Sequence, residues 1–420
     1  MSNQKKQWGA IIVMIALFAM IAFVTNLCTP MATIIKNQGE ISNLLAQIGN
    51  YGNFVAYLVM GIPAGMLISK FGYKKTALIG LAVGATGIMI QWVSGLLDVE
   101  QNLGLVFTVY LIGAFIAGLC MCILNCVVNP MLNLLGGGGN SGNQLIQIGG
   151  VFNSSAAVAC YILMGALIAD ATKAKIADAT PALMIALAIF VIAFIVISFT
   201  KIEEPEQAPV ELSLIKGAMS YSHFALGALA IFLYMGIEVG VPNFVQQYLI
   251  ADGIPAGTVG MLVAVYWFMM LIGRFVGASI GSKVSSRAMI TTVSIATLVL
   301  VLFGMYAPTD IIVSFPGVDW GKLELIWQDI PVGIFSFLLV GLCTSVMWGA
   351  IFNMAVEGLG KYTAIASGIF MTMVFGCAVM MAIQAAVADA TDYITSFWVV
   401  VFCAAYLLFY ALVGSKPTKK

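Results

Sequence analysis

The sequence predicts an all-α polytopic membrane protein, with twelve transmembrane helices in two pseudo-symmetric six-helix halves. Three observations support this fold class. Hydrophobic residues make up 61% of the 420 residues and charged residues only 9%, unlike the composition of soluble domains. Twelve apolar windows reach the roughly 20 residues that a bilayer-crossing helix needs. Finally, the basic residues are distributed unevenly between the loops on the two sides.

The predicted spans follow one another along the whole chain. Their approximate ranges are 8–35, 43–69, 76–97, 104–134, 143–169, 181–199, 222–250, 256–282, 287–307, 332–356, 361–388 and 393–414. The first range is longer than the core of a signal peptide and lacks a clear A-x-A cleavage site. It therefore predicts a retained first helix.

The loop charges predict the orientation of the spans. An even number of spans puts both termini on one side. Four basic residues fall in the predicted outer loops, namely Lys36, Lys173, Lys175 and Lys322, and the other lysines and arginines fall on the side of the termini. Because cytoplasmic loops carry an excess of Lys and Arg, we expect both termini to be cytoplasmic.

The longest inner connection divides the chain. Residues 201–221 contain acids, two prolines and no apolar periodicity until their end, which is typical of a linker. This segment predicts an N-terminal half at 1–200 and a C-terminal half at 222–420.

Matching residues at corresponding places suggest that the two halves are repeats. The interval from Gly65 to Lys75 after the second span equals that from Gly277 to Arg287 after the eighth. A shift of 224 pairs Asn129 with Asn353 and Gly136 with Gly360. Parallel repeats of this kind predict a substrate site near the membrane midplane, at the interface of the halves.

The seventh span contains a carboxylate, Glu238. An acid in hydrocarbon is costly, so it usually faces a cavity and marks an ion or substrate path. Pro242, beside Gly240, predicts a break or a kink in this helix that frees backbone carbonyls. No basic residue is predicted at the same depth, so we do not expect a structural ion pair. Glu238 is the candidate for ion coupling, through H⁺ or, with the freed carbonyls, through Na⁺.

Side-chain amides suit a neutral polyol, because they both donate and accept hydrogen bonds as hydroxyls do. Amides within or at the edges of spans are Asn26, Asn125, Asn129, Gln147, Asn153, Asn243, Gln246, Gln247 and Asn353. Tyr266, Trp267 and Trp348 offer flat apolar faces for a pyranose ring. The alternatives are helix-to-helix hydrogen bonds for the amides, worth about 0.6 kcal/mol each in a membrane, and lipid-interface anchoring for the tryptophans. Arg274 is expected to be an inner-leaflet or inter-helix anchor.

Composition and motifs argue against other classes of protein. The net charge is zero, which gives no electrostatic case for nucleic acid. The cysteines lack zinc-site spacing, so no metal or cofactor is expected beyond the coupling ion. The one histidine, His223, lies about 22 Å along the helix from Glu238, which disfavours a proton relay or an intramembrane enzyme. A receptor should add a soluble sensing domain, and none is predicted.

The segment GMLISKFGYKK (65–75) resembles the loop between the second and third helices of the major facilitator superfamily, roughly G-x-x-x-D-R-x-G-R-R. Gly65, Gly72, Lys74 and Lys75 match it, and Lys70 is a further match. The family's aspartate is replaced by serine at position 69. The resemblance implies a gating role for this loop and for Arg274 in the corresponding part of the second half.

Five stretches resemble the L-fucose permease and glucose/galactose transporter group of that superfamily. They are IPAGMLISKFGYKK (62–75), GLCMCILNCVVNP (118–130), VFNSS (151–155), YWFMMLIGRFVG (266–277) and SVMWGAIFNMAVEGLGKYT (345–363). The resemblance implies a monomeric importer of a hexose or amino sugar in a bacterial inner membrane, working by alternating access and coupled to a cation.

The chain departs from the fucose permease pattern at two acidic positions. The first-helix acid of that family falls on Thr29, and its fourth-helix glutamate falls on Asn125. Glu238 is then the carboxylate left within the predicted spans. Three alternatives stay open: a sugar uniporter, an exporter of drugs or cell-wall fragments, and a non-transporting membrane receptor.

Overall fold

The structure is a computed structural model. It describes residues 7–39, 41–97, 99–136, 139–168, 174–202, 204, 212–280, 284–320, 322, 324–359 and 362–417. The predicted linker 201–221 therefore lies partly outside the described residues, as do residues 137 and 138. The boundaries of the two halves remain predictions.

The first part of the chain forms six helices. They are α1 (Trp8–Gly39), α2 (Asn43–Ala46), α3 (Ile48–Ser94), α4 (Val99–Leu135), α5 (Gly139–Leu167) and α6 (Thr180–Phe199). Helix α3 contains the second and third predicted spans, which meet at Gly72. The φ of Gly72 is 79°, a left-handed conformation that glycine adopts without steric cost. The turn glycine therefore reverses the chain between two membrane crossings.

The second part of the chain contains nine helices and one hairpin among the described residues. These elements are α7 (Ile215–Met219), α8 (Ser222–Ala251), α9 (Ala256–Ile280), α10 (Ser286–Tyr306), β1 (Ile312–Asp319), β2 (Glu324–Pro331), α11 (Val332–Thr344), α12 (Met347–Val356), α13 (Thr363–Met373), α14 (Gly376–Ala390) and α15 (Trp398–Phe409). A π-helical turn, Tyr410–Gly414, extends α15.

The described residues contain eleven apolar helical stretches long enough to cross a membrane. One of them, Ile48–Ser94, contains two crossings because of the turn at Gly72. The fold class predicted from the sequence, a polytopic bundle of twelve spans, is thus confirmed. Following the predicted orientation, we call the end of the bundle with the Gly72 turn the inner end and the end with the β1–β2 hairpin the outer end.

The seventh span is not broken at Pro242, so that part of the prediction is wrong. Helix α8 continues through Pro242 from Ser222 to Ala251. Proline at position 242 lacks the N–H that would bond the carbonyl of Glu238, but the hydroxyl of Tyr266 donates to that carbonyl at 3.0 Å. A contact from α9 therefore replaces the missing helical bond.

Helix interruptions occur instead in the tenth and eleventh spans. The tenth divides between α11 and α12 at Ser345 and Val346, and the eleventh divides at Val374 and Phe375. Neither site contains proline, so no steric signal predicts these interruptions. The α11–α12 interruption lies directly before Trp348, on the wall of the central cavity.

The outer segment 308–331 forms an antiparallel hairpin that the sequence reading did not predict. Strands β1 and β2 pair from Ile312 opposite Pro331 to Asp319 opposite Glu324. Gly317 lies against the side chain of Thr258, so the hairpin packs on the outer end of α9. Trp327 on β2 is 66% exposed.

Candidate functional site

A cavity of about 1440 Å³ lies between the two parts of the bundle. Its wall includes residues from α1, α3, α4 and α5 on one side and from α8, α9, α12 and α13 on the other. Tyr73 beside the Gly72 turn and Ser286 at the start of α10 also line it. The cavity therefore reaches the inner end of the bundle.

The outer end is closed by hydrogen bonds between the two parts. The carboxylate of Asp389 on α14 accepts from the backbone N–H groups of Asn43 and Leu44, at 2.8 and 2.9 Å. These N–H groups open α2 and have no partner within that helix. The Tyr393 hydroxyl donates to the Asn43 side chain at 2.7 Å and accepts from Lys36. The cavity, which reaches the inner end, is thus closed at the outer end.

Beside this closure, Asp392 bonds only within its own loop among the contacts that the structure describes. Its carboxylate accepts from the Thr395 N–H at 2.8 Å and from the Thr395 hydroxyl at 2.6 Å. These two bonds, the hydroxyl first, hold the pKa of Asp392 below its usual value. Asp392 therefore provides a local comparison for Asp389.

A second layer of closure is a buried amide network. Asn243 on α8 accepts from Gln47 at 2.7 Å and from Gln247 at 2.5 Å, and it donates to Thr29 at 3.2 Å. Gln246 is also buried, and its side-chain oxygen has no hydrogen-bond partner among the described residues. Asn243 and Gln246, predicted to bind substrate, therefore lie outside the cavity wall in this conformation.

Most of the other predicted site residues line the cavity. They are Asn26, Asn125, Asn153, Asn353, Glu238, Trp267, Trp348, Arg274 and Gly65. The side chain of Gln147 lies outside the described part of the structure. The roles of these residues remain predictions, but the structure places all nine on the wall of one cavity.

Three of the amides on this wall are oriented by bonds from their nitrogens. Asn26 donates to the carbonyl of Ala22 at 2.8 Å. Asn125 donates to the Tyr57 hydroxyl at 3.0 Å, and Asn153 donates to the carbonyl of Phe18 at 2.8 Å. Helix-to-helix bonding, the alternative role, is therefore present for Asn125 and Asn153 without removing either from the cavity.

Glu238 and Arg274 are the charged residues on the described cavity wall. Arg274 thus shares the cavity with Glu238, although no basic residue was expected at that depth. No ion pair between the two groups is found among the described residues, so the expectation of no structural ion pair stands as a prediction. The long Arg274 side chain places its guanidinium away from its own backbone. The position of Arg274 along the span is therefore a poor guide to the depth of its charge.

Arg274 also connects α9 to α5 across the two parts. One guanidinium nitrogen donates to the carbonyl of Gly150 and lies 3.4 Å from the side-chain oxygen of Asn153. This is the inter-helix contact expected for Arg274, at the cavity rather than at the lipid. Because the Arg274 guanidinium on α9 bonds residues of α5, its hydrogen bonds change when the two parts separate.

Aromatic side chains flank Glu238. Trp267 stands edge-on to Tyr266, with ring centroids 5.5 Å apart, and Trp348 lies 6.3 Å from Tyr234. Both tryptophans line the cavity, where they offer apolar faces beside polar groups. Sequence reasoning missed Tyr234 and Tyr57. The four-residue spacing from Tyr234 to Glu238 places them on one helix face, so that signal was available.

The loop motif is tied together at the inner end. The Lys74 ammonium donates to the carbonyls of Ser198 and Thr200 at 3.0 and 2.9 Å. Glu204 accepts from the N–H groups of Tyr73 and Lys74 at 2.5 and 2.9 Å. A linker carboxylate thus bonds the motif in which serine replaces the family's aspartate. The gating role of the motif residues, Lys75 included, remains a prediction.

The family model described as Major Facilitator Superfamily matches residues 11–379. The chain belongs to this superfamily. Its members are membrane transporters, so the chain is a transporter rather than an enzyme, embedded in the bilayer through its apolar helices.

Similar proteins match nearly the whole chain. A glucose/galactose transporter of Brucella abortus is 28% identical over 99% of this chain and 96% of its own length. A putative glucose/galactose transporter of Helicobacter pylori is 27% identical over 96% of this chain and 95% of its own length. An L-fucose-proton symporter of Escherichia coli is 20% identical over 94% and 91%. The resemblance inferred from sequence stretches is confirmed.

Solved structures share the fold. The transporter FucP in the outward conformation has a TM-score of 0.69 at 19% identity, covering 96% of this chain and 97% of its own. A D-xylose-proton symporter has a TM-score of 0.69 at 11% identity, covering 96% of each chain. The outer closure described above distinguishes the present conformation from an outward one.

Proposed function

We propose that the protein imports a sugar, a hexose or an amino sugar, by alternating access and in symport with a cation. The observation that carries the proposal is the composition of the cavity wall. Anchored amides, two tryptophan faces and one carboxylate converge there. This set suits a neutral polyol, and the names of the relatives support the same substrate class.

The proposed cycle uses both polar clusters. In the inward-facing state, the wall amides hold or release the sugar toward the inner end. When the halves rock, the bonds of Asp389 and the Asn243 network break, and the outer end opens. Asn243 and Gln246 then face the entering sugar, so their predicted substrate role belongs to the outward-facing state.

Glu238 is proposed to carry the coupling ion, and we favour H⁺ over Na⁺. The carbonyl freed by Pro242, a possible Na⁺ ligand, already accepts the Tyr266 hydroxyl. Arg274 lines the same cavity, and its positive charge opposes the binding of a metal cation there. Proton binding instead neutralises Glu238 and ends its attraction to Arg274, so protonation can change the contacts between the halves.

The remaining features of the proposal concern the setting. We propose a monomer in a bacterial inner membrane, with both termini cytoplasmic and no nucleic-acid partner. The positive charge of the predicted inner loops supports the orientation, and the bacterial relatives support the membrane.

The test is transport by the purified protein in proteoliposomes. Labelled hexoses, N-acetylhexosamines and sialic acid are offered separately under an inward H⁺ gradient and an inward Na⁺ gradient. We expect accumulation of a hexose or amino sugar above its external concentration under the H⁺ gradient. Absence of uptake of every sugar under both gradients would overturn the proposal, and uptake that only equilibrates would replace symport by uniport.

A further inference from the structure

We propose that Tyr266 is a positioning residue for proton coupling, because its hydroxyl replaces the helical hydrogen bond that Pro242 removes from Glu238. The inference rests on the proposed coupling role of Glu238. Tyr266 has no assigned role in it so far beyond its apolar ring.

The first step is local helix geometry. In an α-helix the N–H of residue 242 would bond the carbonyl of residue 238, and proline has no such N–H. The residue whose carbonyl loses its donor is thus the one with the intramembrane carboxylate. The Tyr266 hydroxyl supplies that donor from α9 at 3.0 Å. Tyr266 is fully buried, so water is a poor substitute.

The second step is that the same hydroxyl reaches the interrupted tenth span. It lies 3.2 Å from the hydroxyl of Thr344, the last residue of α11 before the interruption. The Thr344 carbonyl accepts from the hydroxyl of Tyr234 at 3.4 Å, and Tyr234 lies one helical turn before Glu238 on α8. Tyr266 and Tyr234 therefore both connect Thr344 to the part of α8 that carries Glu238.

The consequence is control over where the carboxylate sits. With its carbonyl bonded by Tyr266 of α9, the backbone of Glu238 keeps one height and one rotation relative to Arg274. Without the Tyr266 hydroxyl, this carbonyl lacks its donor, and α8 is free to bend at Pro242. The carboxylate then moves with the bend, and its attraction to Arg274 changes.

The test exploits the chemistry of proline. Tyr266→Phe removes the hydroxyl but keeps the ring. Pro242→Ala restores an N–H in register with the Glu238 carbonyl, so the double variant Pro242→Ala/Tyr266→Phe regains a donor by another route. Tyr406→Phe is the matched control, because Tyr406 donates to the α8 carbonyl of Leu226 at 3.1 Å. That carbonyl keeps its helical donor, the N–H of Ala230.

The readouts are the pH profile of sugar uptake and the H⁺-driven accumulation ratio in proteoliposomes. Tyr266→Phe leaves the Glu238 carbonyl without its hydrogen-bond donor. Tyr266→Phe should therefore lower the accumulation ratio about tenfold and shift the midpoint of the pH profile. The double variant should return to within about twofold of the wild type, and Tyr406→Phe should match the wild type.

A Tyr266→Phe variant with unchanged pH profile and accumulation would overturn the inference. A double variant as impaired as the single one would also overturn it, because Pro242→Ala supplies the N–H donor that the Glu238 carbonyl loses in Tyr266→Phe. Wild-type protein and Glu238→Gln are assayed in parallel. If the wild type fails to accumulate sugar, the proposed function itself fails, and that outcome is distinct from failure of the Tyr266 inference.

Discussion

Asp389→Asn should shift the protein from the inward-facing to the outward-facing state. The carboxylate of Asp389 bonds the N–H groups of Asn43 and Leu44 only when the outer end is closed. Asparagine keeps one acceptor oxygen and turns an NH₂ group toward the other N–H, so one charged hydrogen bond is lost. Such a bond is worth about 1.5–3 kcal/mol. Because Asp389 is exposed, screening reduces this to about 1 kcal/mol, or about a fivefold change in the population ratio.

Cys126 is a native reporter for this shift. It lines the cavity and is partly exposed, whereas the other cysteines are buried. A membrane-impermeant maleimide should label Cys126 from the inner side in the wild type. In Asp389→Asn, labelling from the inner side should fall and labelling from the outer side should rise about fivefold. Cys126→Ser establishes the background.

The control is Asp392→Asn, because Asp392 bonds Thr395 within its own loop. It should leave the labelling of both sides as in the wild type. Equal labelling of Asp389→Asn and the wild type would refute the view that these bonds hold the outer end closed. A shift of the same size in Asp392→Asn would attribute the effect to net charge instead.

Three further variants test other parts of the account. Trp348→Ala should raise the KM for sugar about fivefold, because it removes an aromatic face from the cavity; unchanged KM would exclude stacking there. Asn125→Ala should raise KM by a similar factor, since an amide and its bond to Tyr57 are lost, and initial uptake rates across sugar concentrations measure both variants. Gly72→Ala should destabilise the protein by about 1–2 kcal/mol, because alanine at φ 79° is strained. A thermal unfolding midpoint equal to that of the wild type would contradict that last expectation.

Much of the fold could be predicted because the bilayer fixes the length and apolarity of each crossing. The turn at Gly72 could also be predicted, since two lysines follow the glycine between two apolar runs. The outer hairpin was not, because strands of eight residues carry a weak signal beside acids and prolines. The interruption at Ser345 and Val346 has no local cause in the sequence, and packing determines it.

The site was predictable in residue type but not in arrangement. Amides and tryptophans in apolar spans stood out, whereas which of them face the cavity depends on the conformational state. Asn243 and Gln246 lie in the outer closure for that reason. From the sequence, Pro242 predicts a break or a kink, because the Tyr266 hydroxyl that replaces its missing N–H is 24 residues away. The backbone of Arg274 is predicted near the inner end of its span, whereas its side chain lines the same cavity as Glu238.

The coupling role of Glu238 is the central claim, and Glu238→Gln tests it most directly. Glutamine keeps the size and polarity of the side chain but cannot bind or release a proton. In proteoliposomes, the variant should exchange labelled for unlabelled sugar at a rate close to that of the wild type. Under an inward H⁺ gradient it should only equilibrate the sugar, whereas the wild type accumulates it. Accumulation by Glu238→Gln equal to that of the wild type would contradict the account.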